Sequence, residues 1–203
     1  MNLNHKRRLI LASSSPRRKK LLKEIGIEFE IIPSIISEED PDYLGLKPYL
    51  VVEHLALRKA LEVSKREKNK PFIVIGADTI VLINNEILGK PKDEEQAYIM
   101  LNKLSGKWHE VLTGICIIEI NDLEKKLITS YEKTSVKIKK LSKEEIKSYI
   151  KTKEPMDKAG SYAIQGLGVS FIEKINGCYN NVVGLPLFLL FNLLKKEFNF
   201  TII

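Results

Sequence analysis

Four short stretches of this 203-residue chain hold side chains able to do chemistry at spacings that matter. The first is Ser13-Ser14-Ser15-Pro16-Arg17-Arg18. Hydroxyls and guanidinium groups at a helix start join unpaired backbone N–H groups and the positive end of the helix dipole, a combination suited to phosphate oxygens. An N-cap followed by a basic surface face has the same residues, and the glycines and Gly-Lys-Ser/Thr ending of a P-loop are missing. The second is Gly76-Ala77-Asp78-Thr79, where an acid closes an apolar β-branched run. A carboxylate there can orient a water or hold a divalent ion, and it can equally cap a turn. The third is Gly89-Lys90-Pro91, suited to a fixed phosphate contact or to a plain turn. The densest stretch runs from Glu154 to Gly166 and sets Glu154, Asp157, Lys158, Tyr162 and Gln165 among glycines. It shows no helical or strand period, as befits a functional loop held by regular neighbours.

The remaining chemistry-bearing residues exclude more than they suggest. His5, His54 and His109 form no HxxxH or His/Cys set, so a structural zinc site is not expected. Cys116 and Cys178 lie far apart among apolar or small neighbours and are read as reduced thiols. The net charge of +7 favours an anionic partner, but the lysines are spread along the whole length, as on a solvated surface. Aromatic interleaving of a basic patch is absent, which argues against nucleic acid. The apolar run Leu9–Ala12 is too short for a signal-peptide core. The longest apolar segment, Val182 to Leu194, is interrupted by Gly184, Pro186 and Asn192 and falls short of the roughly 20 residues a bilayer needs. The chain reads as cytoplasmic, with no membrane partner.

These stretches need elements to hold them. Leu9–Ala12 reads as a buried strand feeding a helix through Leu21, Leu22 and Ile25, with Gly26 placed to end it. Phe29–Pro33 reads as a second strand, Ser34–Gly45 as an acidic loop and Tyr49–Lys65 as a helix. Phe72–Gly76, continued by Thr79–Ile83, is a strand that turns at Asn84-Asn85 and returns over Glu86–Leu88. Asp93–Leu104 is a helix, and Trp108–Ile120 and Lys126–Ile138 are long strands. Ser142 with Glu145 forms a capping box for a helix through Ile150. Ser170–Ile175 is a strand and Pro186–Phe198 the closing helix. Alternating strands and helices without repeats or an obvious linker make the class α/β, a central mixed β-sheet with flanking helices in a single domain over 1–203.

Taken in order, these blocks closely resemble the Maf family of nucleoside triphosphate pyrophosphatases. The matching stretches are LASSSPRR at 11–18, FEIIPSIISEE at 29–39, LALRKA at 55–60, IGADTIV at 75–81 and ILGKP at 87–91. MLNKLSGKWHEVLTG at 100–114, EPMDKAGSYAIQG at 154–166 and INGCYNNVVGLP at 175–186 complete the set. The resemblance implies two lobes around a deep cleft, similar to inosine triphosphate pyrophosphatases. It implies hydrolysis between the α and β phosphates with a divalent cation, magnesium or manganese, and a homodimer as a family-level expectation. It implies Asp78 as the catalytic proton acceptor, and Ser13, Ser15 and Arg18 as phosphate-facing. Lys59, Lys90 and Lys158 are expected to bind substrate, and Glu38, Asp78 and Asp157 to hold the metal.

Three further positions separate branches of the family. Arg17, Thr79 and Gln165 resemble the branch that favours thymidine and uridine triphosphates. The branch acting on 7-methyl-GTP carries tryptophan, glutamine and glutamate there. The expected activity is hydrolysis of dTTP and UTP to the monophosphate and pyrophosphate, with roles in removing modified nucleotides and arresting cell division. Two other readings stand beside it: a pyrophosphatase for other modified nucleotides, and a non-catalytic protein that binds nucleic acid or a division partner.

Overall fold

The computed structural model describes residues 7–37 and 45–201. In chain order its elements are β1 (Arg8–Leu11), α1 (Pro16–Glu24), β2 (Glu30–Ile31), α2 (Pro48–Arg66), β3 (Phe72–Ile83) and β4 (Glu86–Leu88). They continue with α3 (Glu94–Leu104), β5 (Trp108–Ile120), β6 (Lys125–Ile138) and α4 (Lys143–Lys151). Three 3-10 turns follow, Glu154–Asp157, Ala159–Ser161 and Gly166–Phe171, and then β7 (Ile172–Asn176), α5 (Tyr179–Val183) and α6 (Leu187–Phe198).

The strands form one seven-stranded sheet in the order β2-β1-β3-β5-β6-β7, with β4 paired to β3. β1 runs parallel to both β2 and β3, while β4 is antiparallel to β3 and β7 to β6, so the sheet is mixed as expected. The Asn84-Asn85 turn joins β3 to β4, both residues at positive φ, the conformation a two-residue hairpin demands. Ser142 and Glu145 make both bonds of the capping box that opens α4, a device worth about 1 kcal/mol.

The structure trims two of the expected strands and adds a helix. β2 keeps only Glu30 and Ile31 of the expected 29–33 run. It is an edge strand, both its residues are exposed, and Pro33 has no N–H to extend the ladder. The strand expected over 170–175 is shifted to Ile172–Asn176, because Gly166–Phe171 winds into a 3-10 turn. Tyr179–Val183 is a short helix that the apolar run hid. Among the described residues, no helix is long and apolar enough to cross a membrane.

Two compact units divide the chain. One comprises Met1–Asp78, Thr113–Glu132 and Gly184–Ile203, the other Thr79–Leu112 and Lys133–Val183. In the first, Ala56, Ala60 and Val63 of α2 pack on Ile10, Phe72, Val74, Cys116 and Ile118. Full burial of a side chain such as Phe72 contributes roughly 2–3 kcal/mol. Gly76 makes this packing possible: a Cβ there would collide with the Ala56 carbonyl oxygen and stand 2.9 Å from Ala60 N. In the second unit, Val81 and Ile83 join Leu101, Leu104, Ile138, Ile146, Tyr149 and Phe171.

β3 contributes residues to both cores. Phe72 and Val74 belong to the first core, Val81 and Ile83 to the second. Alternation puts residues 72, 74, 76 and 78 on the face that α2 covers.

Candidate active site

The chain leaves β1 at Leu11, and Ser15 becomes the N-cap of α1, with Pro16 at its first position. Ser15 makes no side-chain capping bond, so the ordinary reason for a serine here does not apply. Ser13 takes the local role: its Oγ accepts from Ser15 N at 3.2 Å and from Arg18 Nη1 at 3.1 Å. Arg18 is buried, and its Nε donates to the Gly184 carbonyl at 2.8 Å. Its guanidinium thus binds the first block of the chain to the Gly-Leu-Pro segment near the end. Arg17, next to it, is half-buried.

Lys59 and Asp78 form the charged centre of the first unit. Lys59 lies on the α2 face that packs against β3, and Asp78 lies on the β3 face that it meets. Lys59 Nζ donates to Asp78 Oδ1 at 2.6 Å, with each side chain only 9% exposed. Burying two opposite charges is tolerable only because each neutralises the other in good geometry. The contact fixes the direction of the Asp78 carboxylate.

The second unit brings together two of the expected blocks. Gly160 N donates to the Gly89 carbonyl at 3.0 Å, which joins the block at 154–166 to the one at 87–91. Lys90, just beyond Gly89, is exposed, and Asp157 pairs with its neighbour Lys158. Thr79 and Gln165 are half-buried. Glu154 accepts from Leu167 N and Gly168 N, both at 3.0 Å, and from the Tyr149 hydroxyl at 2.9 Å. Burial pushes its carboxyl up, but these three donors outweigh that and hold it below the ordinary glutamate range. Tyr149 is pushed the other way, first by burial and then by its bond to the Glu154 carboxylate.

His109, uninformative as a sequence position, proves to be a core residue. It is 3% exposed, and its Nε2 stands 2.6 Å from the Tyr162 hydroxyl, with the two rings edge to face. Burial pushes the imidazole down to about 4, so it is neutral at pH 7. Cys116 and Cys178 are free thiols, as the sequence implied. The expected metal ligand Glu38 lies outside the described residues. Among the described residues no three His, Cys, Asp or Glu side chains gather into a metal cage. Magnesium, however, is normally held by one or two carboxylates together with substrate phosphates. Asp78, with one oxygen on Lys59, has the donor chemistry for that arrangement.

Sequence reasoning missed the parts played by Tyr149 and Glu154, whose partners come from tertiary contact. Glu154 did stand in the densest polar stretch, and that was its only signal.

The fold is of the α/β class, a mixed sheet with a buried, salt-bridged carboxylate on β3 and a serine–arginine turn at the start of α1. Within it the family is set by sequence: the family profile described as Maf-like protein matches residues 8–197, and the chain belongs to the Maf family. A dTTP/UTP pyrophosphatase of Caldicellulosiruptor bescii is 54% identical over 192 residues, covering 94% of each chain. Proteins of the same description from Acetivibrio thermocellus and Aquifex aeolicus are 49% and 47% identical. Those alignments cover 93% of this chain and 94% and 95% of the relatives.

Proposed function

We propose that this chain is a nucleoside triphosphate pyrophosphatase that hydrolyses dTTP and UTP to the monophosphate and pyrophosphate, acting as one catalytic domain. The observation that carries this reading is identity near one half, over nearly the full length, to relatives described by that activity. The buried Lys59–Asp78 pair supports its mechanism.

Water attacks the α-phosphorus, a new P–O bond forms, and the bond to the bridging oxygen breaks with negative charge developing on pyrophosphate. Asp78 takes the proton of the attacking water. Lys59 holds Oδ1, and Oδ2 is the atom assigned to the water. Ser13, Ser15 and the start of α1 are assigned to phosphate oxygens, with Arg18 keeping Ser13 in place. The uncapped helix start and the basic side chains favour the leaving group's charge. Lys90 and Lys158 are assigned to the substrate, while Arg17, Thr79 and Gln165 are assigned to base preference. A divalent cation, magnesium or manganese, would be held by Asp78 with Glu38 and Asp157 as further candidates, and it supplies charge neutralisation of the triphosphate. Two free thiols fit a reducing cytoplasm.

A panel of nucleoside triphosphates, assayed with magnesium and with phosphate and pyrophosphate measured separately, tests the proposal. Pyrophosphate released from dTTP and UTP ahead of purine triphosphates is expected. Release of phosphate instead, or turnover of none of them, overturns it.

A further inference from the structure

Gln165 stands in a segment that has little regular structure to hold it. It is extended at φ −110°, Gly166 turns left-handed at φ +72°, and a 3-10 turn begins there. The first N–H groups of such a turn have no partner within it. Glu154 supplies the acceptors. Its Oε2 takes Leu167 N and its Oε1 takes Gly168 N. The Tyr149 hydroxyl donates to Oε1 and accepts from Ala163 N at 3.3 Å. One carboxylate–phenol pair thereby ties down Ala163, two residues before Gln165, and Leu167, two residues after it.

The pair is itself well founded. Tyr149 belongs to α4, whose start the capping box fixes, and its ring stands edge-on to Phe171 with centroids 5.0 Å apart. Gly166 closes tightly over the carboxylate: a Cβ there would come within 2.6 Å of Oε2, at a φ that other residues rarely adopt. A glutamate is the residue this arrangement needs. It offers two acceptor oxygens and no donor, whereas a glutamine would set an NH2 group against a backbone N–H.

We propose that Tyr149 and Glu154 are positioning residues for base selection, setting the depth at which Gln165 presents its amide. This rests on the reading that Gln165 meets the base. A primary amide can turn over, so its donor–acceptor pattern matches the edge of thymine, cytosine or adenine equally well. Pattern alone cannot separate a pyrimidine from a purine. Position can, because a purine carries that edge one fused ring further from the sugar. Selection therefore requires an amide whose backbone cannot shift, and the two flanking ties provide that.

The test compares kcat/KM for dTTP and dATP in the wild type, Gln165→Ala, Glu154→Gln and Tyr149→Phe, with the melting temperature of each. Gln165→Ala and Glu154→Gln are expected to lower the dTTP:dATP ratio by about tenfold or more. Tyr149→Phe, which removes one tie and keeps the ring on Phe171, lowers it by a smaller factor. A purely structural role for the pair lowers both substrates equally and leaves the ratio intact, and that result overturns the proposal. If Gln165→Ala leaves the ratio intact, the base-reading role of Gln165 falls, and the positioning role with it. If Gln165→Ala lowers the ratio and neither Glu154→Gln nor Tyr149→Phe does, only the positioning role falls. Should Glu154→Gln fail to fold, Tyr149→Phe decides on the same ratio.

Discussion

Lys59 and Asp78 meet at 2.6 Å in a site almost closed to water, one contributed by a helix and the other by a strand. The ammonium lies directly against the carboxylate and fixes the direction of its Oδ1. The same contact ties chemistry to packing, because neither side chain can be removed without exposing the other to an apolar surrounding.

The first prediction concerns Asp78 as proton acceptor. Asp78→Asn keeps the shape and removes the basic oxygen. Pyrophosphate release from dTTP is expected to fall by roughly 10²–10⁴-fold, the usual worth of a positioned base. Steady-state kinetics of the purified variant check this, and near-wild-type turnover removes Asp78 from that role.

Stability should follow the same pair. Removing one partner of a buried ion pair costs about 3–5 kcal/mol, mostly from the charge left behind. Lys59→Met and Asp78→Asn should each destabilise by an amount of that order. The double variant should lose less than the sum. Urea denaturation of the four proteins in a mutant cycle measures the coupling, and strict additivity would falsify it.

Gly76→Ala should act on function through α2. The added Cβ meets the Ala56 carbonyl and the Ala60 backbone, one on each side of Lys59 in the helix. Overpacking of this kind costs about 1–3 kcal/mol and moves the helix away from β3. Both the urea midpoint and kcat/KM are expected to drop. A loss of stability with unchanged kinetics would show that Lys59 follows Asp78 regardless of where α2 lies.

His109 gives the protein a pH dependence of stability. Burial lowers its folded-state value to about 4, against an ordinary 6.5. The unfolded chain therefore binds a proton as the pH falls below 6.5, and the folded protein does not until about pH 4. The stabilisation is fully present above 6.5 and is lost progressively down to about 4, roughly 3 kcal/mol in all. His109→Gln, which does not titrate, should show a flatter fall in urea midpoint across that window. An unchanged slope would assign the acid sensitivity to other groups.

Much of this architecture was legible from local signals. The serine–proline start of α1, the Asn84-Asn85 hairpin and the Ser142 capping box are short-range devices, and each lies where its residues imply. The shape of the region from 154 to 171 could not be read from its sequence. Its 3-10 turns, broken by left-handed Gly160 and Gly166, leave no period to read. Asp78 and Lys59 were both named as site residues, yet nothing along the chain says that they touch. The same holds for Tyr149 and Glu154, and for His109 and Tyr162, which are 53 residues apart. Pairing across the fold is a property of packing, and a single sequence carries no direct trace of it.

Arg18 has its own consequence for the order of events during synthesis. Its bond to the Gly184 carbonyl spans 166 residues. A nascent chain emerges N-terminus first, so the serine–arginine turn is made early but acquires this anchor only when almost everything else has been translated. A chain stopped before Gly184 carries all three serines and lacks the carbonyl that aims Arg18. Premature termination late in the message therefore removes a part of the turn at residues 13–18, although every residue of that turn is present.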